Sequence, residues 1–121
     1  MEGAYNGGIY LARLGRDGFV SFWADERGGF VETRALKFEG NRLFVDADAS
    51  KGELRAEVID ERGRTIRTGW SKDLAQSINS DQLRIELSWQ GNKGVEKLRG
   101  QNIGFRFHLK QAHLFSFWIE L

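Results

Sequence analysis

Two tryptophans stand out of phase with the apolar residues around them. Trp118 lies between Phe117 and Ile119, and Trp23 follows Phe22 in a run that also holds Val20. Successive side chains of a strand point to opposite faces, so if Val20, Phe22, Phe117 and Ile119 point into a core, both indoles point out. An outward indole exposes a large apolar area unless something uses or covers it. A flat indole suits the C–H-rich face of a pyranose ring, with charged and amide side chains beside it to bond hydroxyl groups. Trp70 follows Gly69 at a strand-to-loop transition and is expected at the rim of the same surface. Glu120, Arg106, His108 and Gln111 are near enough in strand order to supply the polar contacts. The competing account is packing: a phase slip that turns Trp23 inward, a covering loop, or docking against a neighbouring domain.

Other chemistries have less to stand on. The chain has 0 cysteines and 2 histidines, which removes disulfides, thiolate nucleophiles, cysteine zinc sites and an all-histidine zinc site. There is no G-x-S-x-G elbow, P-loop, dinucleotide fingerprint or H-E-x-x-H. His108 falls on the polar face of a strand and His113 in a hairpin turn, positions where a histidine is ordinarily solvated. The acids Asp25-Glu26, Asp46 with Asp48, and Asp60-Glu61 sit in turns or on outward strand faces, where they solubilise rather than catalyse. Asp46 and Asp48 share one face and would supply part of a calcium shell of about 6–8 oxygens, but the remaining ligands cannot be named. The expectation is a protein that is not an enzyme and holds no cofactor, with structural calcium unsupported.

Period-two alternation dominates the elements that must position these groups. In Gln82–Trp89, Leu83, Ile85, Leu87 and Trp89 alternate with polar residues; in Asn102–Lys110, Ile103, Phe105, Phe107 and Leu109 do so. Leu54–Val58, Leu43–Ala47, Ile9–Leu14, Gly18–Ala24 and Phe30–Phe38 follow, and Leu114–Leu121 closes the chain with Phe115, Phe117, Ile119 and Leu121 expected inward. The chain has 15 glycines and 0 prolines, and its turns fall at Arg16-Asp17-Gly18, Glu39-Gly40-Asn41-Arg42, Lys51-Gly52 and Glu61-Arg62-Gly63-Arg64. Gln111-Ala112-His113 is a tight link between two strong strands. Ser71–Ser80 and Gly91–Gly100 break the pattern, the second around one turn closed by Gly100. About eight short, half-polar strands predict an all-β fold: an antiparallel β-sandwich, jelly-roll-like.

The 121 residues make one domain, with residues 1–8 read as a linker or domain boundary and 9–121 as a single module. The opening Met1-Glu2-Gly3-Ala4-Tyr5-Asn6-Gly7-Gly8 has no basic region followed by an apolar run, unlike a signal peptide. No apolar stretch approaches the roughly 20 residues of a membrane helix. A formal net charge of +1, from 18 Lys and Arg against 17 Asp and Glu, gives no long-range field to collect nucleic acid or anionic lipid.

The runs Gly8–Ser21, Thr33–Leu43, Leu54–Asp60, Leu98–Ile103 and Phe105–Phe117 resemble the C-terminal β-sandwich modules that follow propeller-type, glycoside hydrolase family 32-related domains in bacterial secreted proteins. The resemblance covers nearly the whole chain and is carried by strand-and-turn patterns rather than a catalytic signature. It implies a non-catalytic jelly-roll module in a larger extracellular or periplasmic carbohydrate-active protein, with the parent glycosidase domain as partner in cis. Such modules usually carry polar residues at the positions of Trp23 and Trp118, so the indoles mark a specialised surface. The expected function is binding of a polysaccharide or oligosaccharide on an aromatic platform, with no nucleic-acid or membrane partner. The alternative is a structural β-sandwich that braces a glycosidase or forms a weak homo-oligomer through the same tryptophans.

Overall fold

The computed structural model describes residues 3–5, 9–14, 19–66 and 69–121, with side chains described from residue 21 onward within those ranges. Strands form where apolar and polar residues alternate: β1 (Gly3–Tyr5), β2 (Ile9–Leu14), β3 (Phe19–Ala24), β4 (Gly29–Thr33), β5 (Leu36–Lys37), β6 (Arg42–Asp48), β7 (Glu53–Ile59), β8 (Asp81–Leu87), β9 (Asn102–Lys110) and β10 (Ala112–Glu120). Gly3–Tyr5, inside the stretch expected to be a linker, pairs along β4. The rest of that stretch and the Arg16-Asp17-Gly18 turn lie outside the described residues, apart from the strand itself. The expected Phe30–Phe38 strand divides into β4 and β5, both of which pair with β9.

Two five-stranded antiparallel sheets face each other. In the first, β4 and β5 flank one side of β9 and β7 flanks the other, with β1 outside β4. In the second the order is β2-β3-β10-β6-β8. The pairing is nested: β3 with β10, β4 with β9, β6 with β8. Innermost, β7 pairs the returning segment, where Ile66 N–H donates to Val58 O (2.8 Å) and Val58 N–H to Trp70 O (3.0 Å). A long antiparallel hairpin rolled over itself so that successive strands change sheets is a jelly roll, as the alternation predicts.

The core lies where the inward phases meet. Phe105 and Phe107 of the first sheet pack on Phe117 of the second, with ring centroids 6.0 and 5.3 Å apart. Trp89 closes one end, its indole N–H donating to Ala56 O (2.9 Å). The two segments that break the strand pattern carry short 3₁₀ turns, Lys72–Leu74 and Glu96–Leu98, and Gly100 follows the second at φ 87°.

Three inward assignments are corrected. Leu121 lies past the last ladder pair of β10 and is 85 % exposed. Leu83 is 80 % exposed. Between Val45 and Ala47 the β6–β8 register slips, so that Leu83 and Arg84 together oppose Asp46 and the alternation resets. Phe115 is the extra residue of a second bulge, because β10 pairs Leu114 with Ala47 but Ser116 with Asp46. Leu114 therefore points inward and is fully buried, while Phe115 leaves the core phase.

Candidate functional site

The outer face of the β2-β3-β10-β6-β8 sheet carries both out-of-phase tryptophans. Their strand neighbours Phe22 and Phe117 belong to or pack on the core, and each indole is half-buried. Trp23 pairs across the ladder with His113, and His113 with Asp48. The Trp23 and His113 rings stack at 5.9 Å and 21°, and His113 stacks on Phe115 at 6.0 Å and 10°. The Ser21 hydroxyl lies 3.4 Å from His113 Nδ1. This row ends in a groove of about 310 Å³ lined by Trp23, His113, Asp25, Asp48, Lys51 and Gln111.

The tight connections at this end of the sandwich shape the groove. Gln111 alone joins β9 to β10, which lie in opposite sheets, and it does so at φ 47°, in the left-handed region. Its N–H donates to Asp25 O (3.0 Å), which ties the hairpin to the β3–β4 turn. Asp48 accepts from the Ser50 hydroxyl (2.6 Å) and N–H (3.1 Å), and these bonds hold its carboxyl below the usual carboxylate range. The groove thus offers an indole, fixed carboxylates, an amide and an ammonium together.

Trp118 occupies the same face, five residues along β10 from His113, or roughly 15 Å at about 3.3 Å per residue. Its ring stacks on Phe44 at 5.9 Å and 17°. Phe44 points outward from β6, yet it is only 1 % exposed. The guanidinium groups of Arg84 and Arg42 sit 4.1 and 5.0 Å from its ring centre. The Trp118 indole N–H donates to Glu120 Oε2 (2.8 Å), Arg84 pairs with Glu120 (3.0 Å), and Arg42 pairs with Glu86 (2.7 Å). The hydrogen bonds from Arg84 and Trp118 hold the Glu120 carboxyl low. Trp118 and Glu120 therefore spend their polar groups on one another and on Arg84, forming a small outer core.

Arg106 and His108 lie elsewhere, on the outer face of the other sheet. Arg106 donates to Glu32 (2.6 Å), Glu57 (2.9 Å) and Gly63 O (2.8 Å), and its guanidinium lies 5.3 Å from the Phe30 ring centre. His108 Nε2 meets Glu57 at 2.8 Å, and the Thr65 hydroxyl donates to Glu57 at 2.9 Å. Glu57 is 6 % exposed. Burial pushes its carboxyl up, but the bonds from His108, Arg106 and Thr65 outweigh burial and bring it below the usual range. His108 is pushed down, first by burial and then by the charges of Lys72 and Arg106, against the upward pull of Glu57. This face opens on a groove of about 360 Å³.

Of the residues expected to form one site, Trp23 and Gln111 meet in a groove, Trp118 and Glu120 meet in the outer core, and Arg106 and His108 face the opposite way. Trp70, expected at the rim, is 5 % exposed. Its segment pairs with β7, and its indole N–H donates to Gly94 O (2.9 Å), which seats it beneath the Gly91–Gly100 loop. His113, Asp48 and Lys51 join Trp23 though none is among the expected sugar-contacting residues, Asp48 being weighed only for calcium. The signal for His113 was its place two residues past the tight link, masked by its reading as a turn residue. Asp46 and Asp48 do share the outer face, but among the described residues no three acidic or imidazole groups gather to hold a metal ion. Asp46 is pushed up by burial and by Asp81. Comparison with protein-family models, curated proteins and solved structures finds no match for this chain.

Proposed function

We propose that the chain is a non-catalytic carbohydrate-binding module that holds a polysaccharide at the Trp23 groove. One observation carries this reading: an outward, half-buried indole lines an open groove together with Asp25, Asp48, Gln111 and Lys51. Apolar area and hydroxyl-bonding groups are what a sugar ring asks of a protein surface, one face for its C–H bonds and polar atoms at its rim. Asp48 is held in place by Ser50, so little ordering is left to do on binding. The strand-and-turn resemblance adds only the expected setting, a module of a secreted carbohydrate-active protein, and not the Trp23 groove itself. In such a protein, tethering to a catalytic domain turns weak single-site binding into a high local concentration.

Affinity electrophoresis through gels holding neutral polysaccharides tests the proposal. At least one polysaccharide should retard the parent protein, and Trp23→Ala should migrate as in an empty gel. Retention of Trp23→Ala equal to that of the parent refutes the groove as the site. The bracing module is the second reading, favoured by the Trp118–Phe44 patch, where the indole is engaged in packing. A tight dimer in sedimentation together with no retardation on any polysaccharide would select it.

A further inference from the structure

The groove on the opposite face differs in charge from the Trp23 groove. Three segments distant in sequence bring cations to it: Arg27 from the β3–β4 turn, Lys72 from the first 3₁₀ turn, and Lys110 from the end of β9. Arg27 is paired with Asp25 at 2.9 Å. The groove's carboxylate, Glu53, is bonded by Ser77 (2.8 Å) and Arg55 (3.3 Å). Lys72 and Lys110 are exposed, and neither makes an ion pair among the described residues. Lys72 lies close enough to act on both Glu53 and His108.

The wall between these cations is aromatic. Phe30 and His108 lie 5.9 Å apart at 52°, both lining the groove. The His108 ring is fixed from behind by Glu57, which is itself held by Arg106 and Thr65. The Trp23 groove, by contrast, sets Asp25, Glu26 and Asp48 against Lys51. Three cations line this groove against one carboxylate, Glu53, as a compact cluster rather than a stripe. A stripe would track a nucleic-acid backbone; two lysines flanking an aromatic wall fit one charged sugar.

We infer that the Phe30–His108 groove binds the acidic group of an anionic polysaccharide, with Lys72 and Lys110 on its carboxylate or sulfate and the Phe30 and His108 rings against the sugar. The inference rests on the glycan reading but uses none of the Trp23 groove's ligand groups, so the two fail separately.

The test is affinity electrophoresis of the whole chain in gels of polygalacturonate, dextran sulfate and uncharged dextran, with a fluorescent single-stranded oligonucleotide as a further probe. The parent should be retarded by at least one acidic polymer, and the pair Lys72→Ala with Lys110→Ala should weaken that binding about tenfold. A charge-matched control, Lys93→Ala with Lys97→Ala in the cleft beside Arg42, should change it less than about twofold. The carboxylate and sulfate arms show which acid is taken. Equal loss in both double variants means diffuse charge attraction and overturns the site. Tighter binding of the oligonucleotide than of either acidic polymer overturns the ligand class. Retention on neutral polymer abolished by Trp23→Ala, with no retention on acidic polymer, leaves the first groove standing and removes this one.

Discussion

Glu57→Gln isolates the most deeply buried charge among the described residues. The carboxylate is 6 % exposed and accepts from Arg106 (2.9 Å), His108 (2.8 Å) and Thr65 (2.9 Å). The amide keeps the shape; with its oxygen toward Arg106 and His108, its NH2 donates to the Thr65 hydroxyl, so Thr65 retains a partner. Arg106 keeps Glu32 and the Gly63 carbonyl, which prevents it from being stranded. What is lost is the charge-assisted part of two bonds. A hydrogen bond to a charged group is worth about 1.5–3 kcal/mol, and stranding one partner of a buried pair about 3–5 kcal/mol. Because Arg106 is only partly stranded, the expected cost is about 2–3 kcal/mol. Unfolding entropy of about 2.1 cal/mol/K per residue over 121 residues makes that a fall of about 8–12 °C in the thermal midpoint.

The pH dependence has a definite sign. The Glu57 carboxyl is lower in the folded protein than its ordinary value of 4.5, so the unfolded chain binds more protons and the stabilisation fades as pH falls from about that value. His108 is also lower than its ordinary 6.5, so it too favours unfolding on acidification, beginning below that value. Thermal unfolding followed by circular dichroism from pH 8 to 3 should show the parent losing stability in both windows. The Glu57→Gln protein should begin lower and lose less below 4.5. A midpoint within about 2 °C of the parent at neutral pH, together with parallel pH curves, would refute the reasoning.

Two substitution pairs check the packing. Leu83→Ser should change stability by under about 0.5 kcal/mol, whereas Leu87→Ala, at a residue 2 % exposed, should cost about 2–5 kcal/mol by denaturant unfolding. Equal costs would remove the β8 bulge. Phe44→Ala should cost about 3 kcal/mol despite its place on an outer face, because it empties the space between Trp118 and two guanidinium groups, while Ser116→Ala beside it should stay within about 0.5 kcal/mol.

Much of the fold was legible because alternation reports burial directly. Ile103, Phe105, Phe107 and Leu109 keep strict phase and all are buried. The same logic put Trp23 and Trp118 outward without any knowledge of pairing. It could not say which sheet each strand joins. That is why Arg106 and His108, polar-face residues in correct phase, lie on the outer face of the opposite sheet rather than beside Trp23 and Trp118. The tight link at Gln111 carried the missing information in principle: a one-residue turn is too short for an ordinary hairpin in one sheet, and here it passes β9 and β10 to opposite layers. Trp70 was misjudged because a Gly-Trp step reads alike whether the segment frays or, as here, pairs with β7 through Val58.

The bulges account for the composition of the outer face. Both neighbours of β6 slip at the same level: Phe115 and Ser116 oppose Asp46 from one side, Leu83 and Arg84 from the other. A lone bulge would shift one strand against the sheet; two at one level change the sheet's course across its middle while leaving the pairing above and below intact. In β10 the inserted residue reverses the phase, so Leu114 serves the core on one side of the slip and Phe117 on the other. His113 is thereby stacked on Trp23 and Phe115 on His113, and Trp118 is returned to the outer face further on. Were Phe115 taken into regular alternation instead of bulging, a strand that kept Phe117 inward would turn Leu114 out and His113 toward the core, and the Trp23 ring would lose its neighbour. Bulges recur beside functional surfaces because they re-aim side chains at little cost to the ladder. Here one of the re-aimed side chains, His113, lines the Trp23 groove.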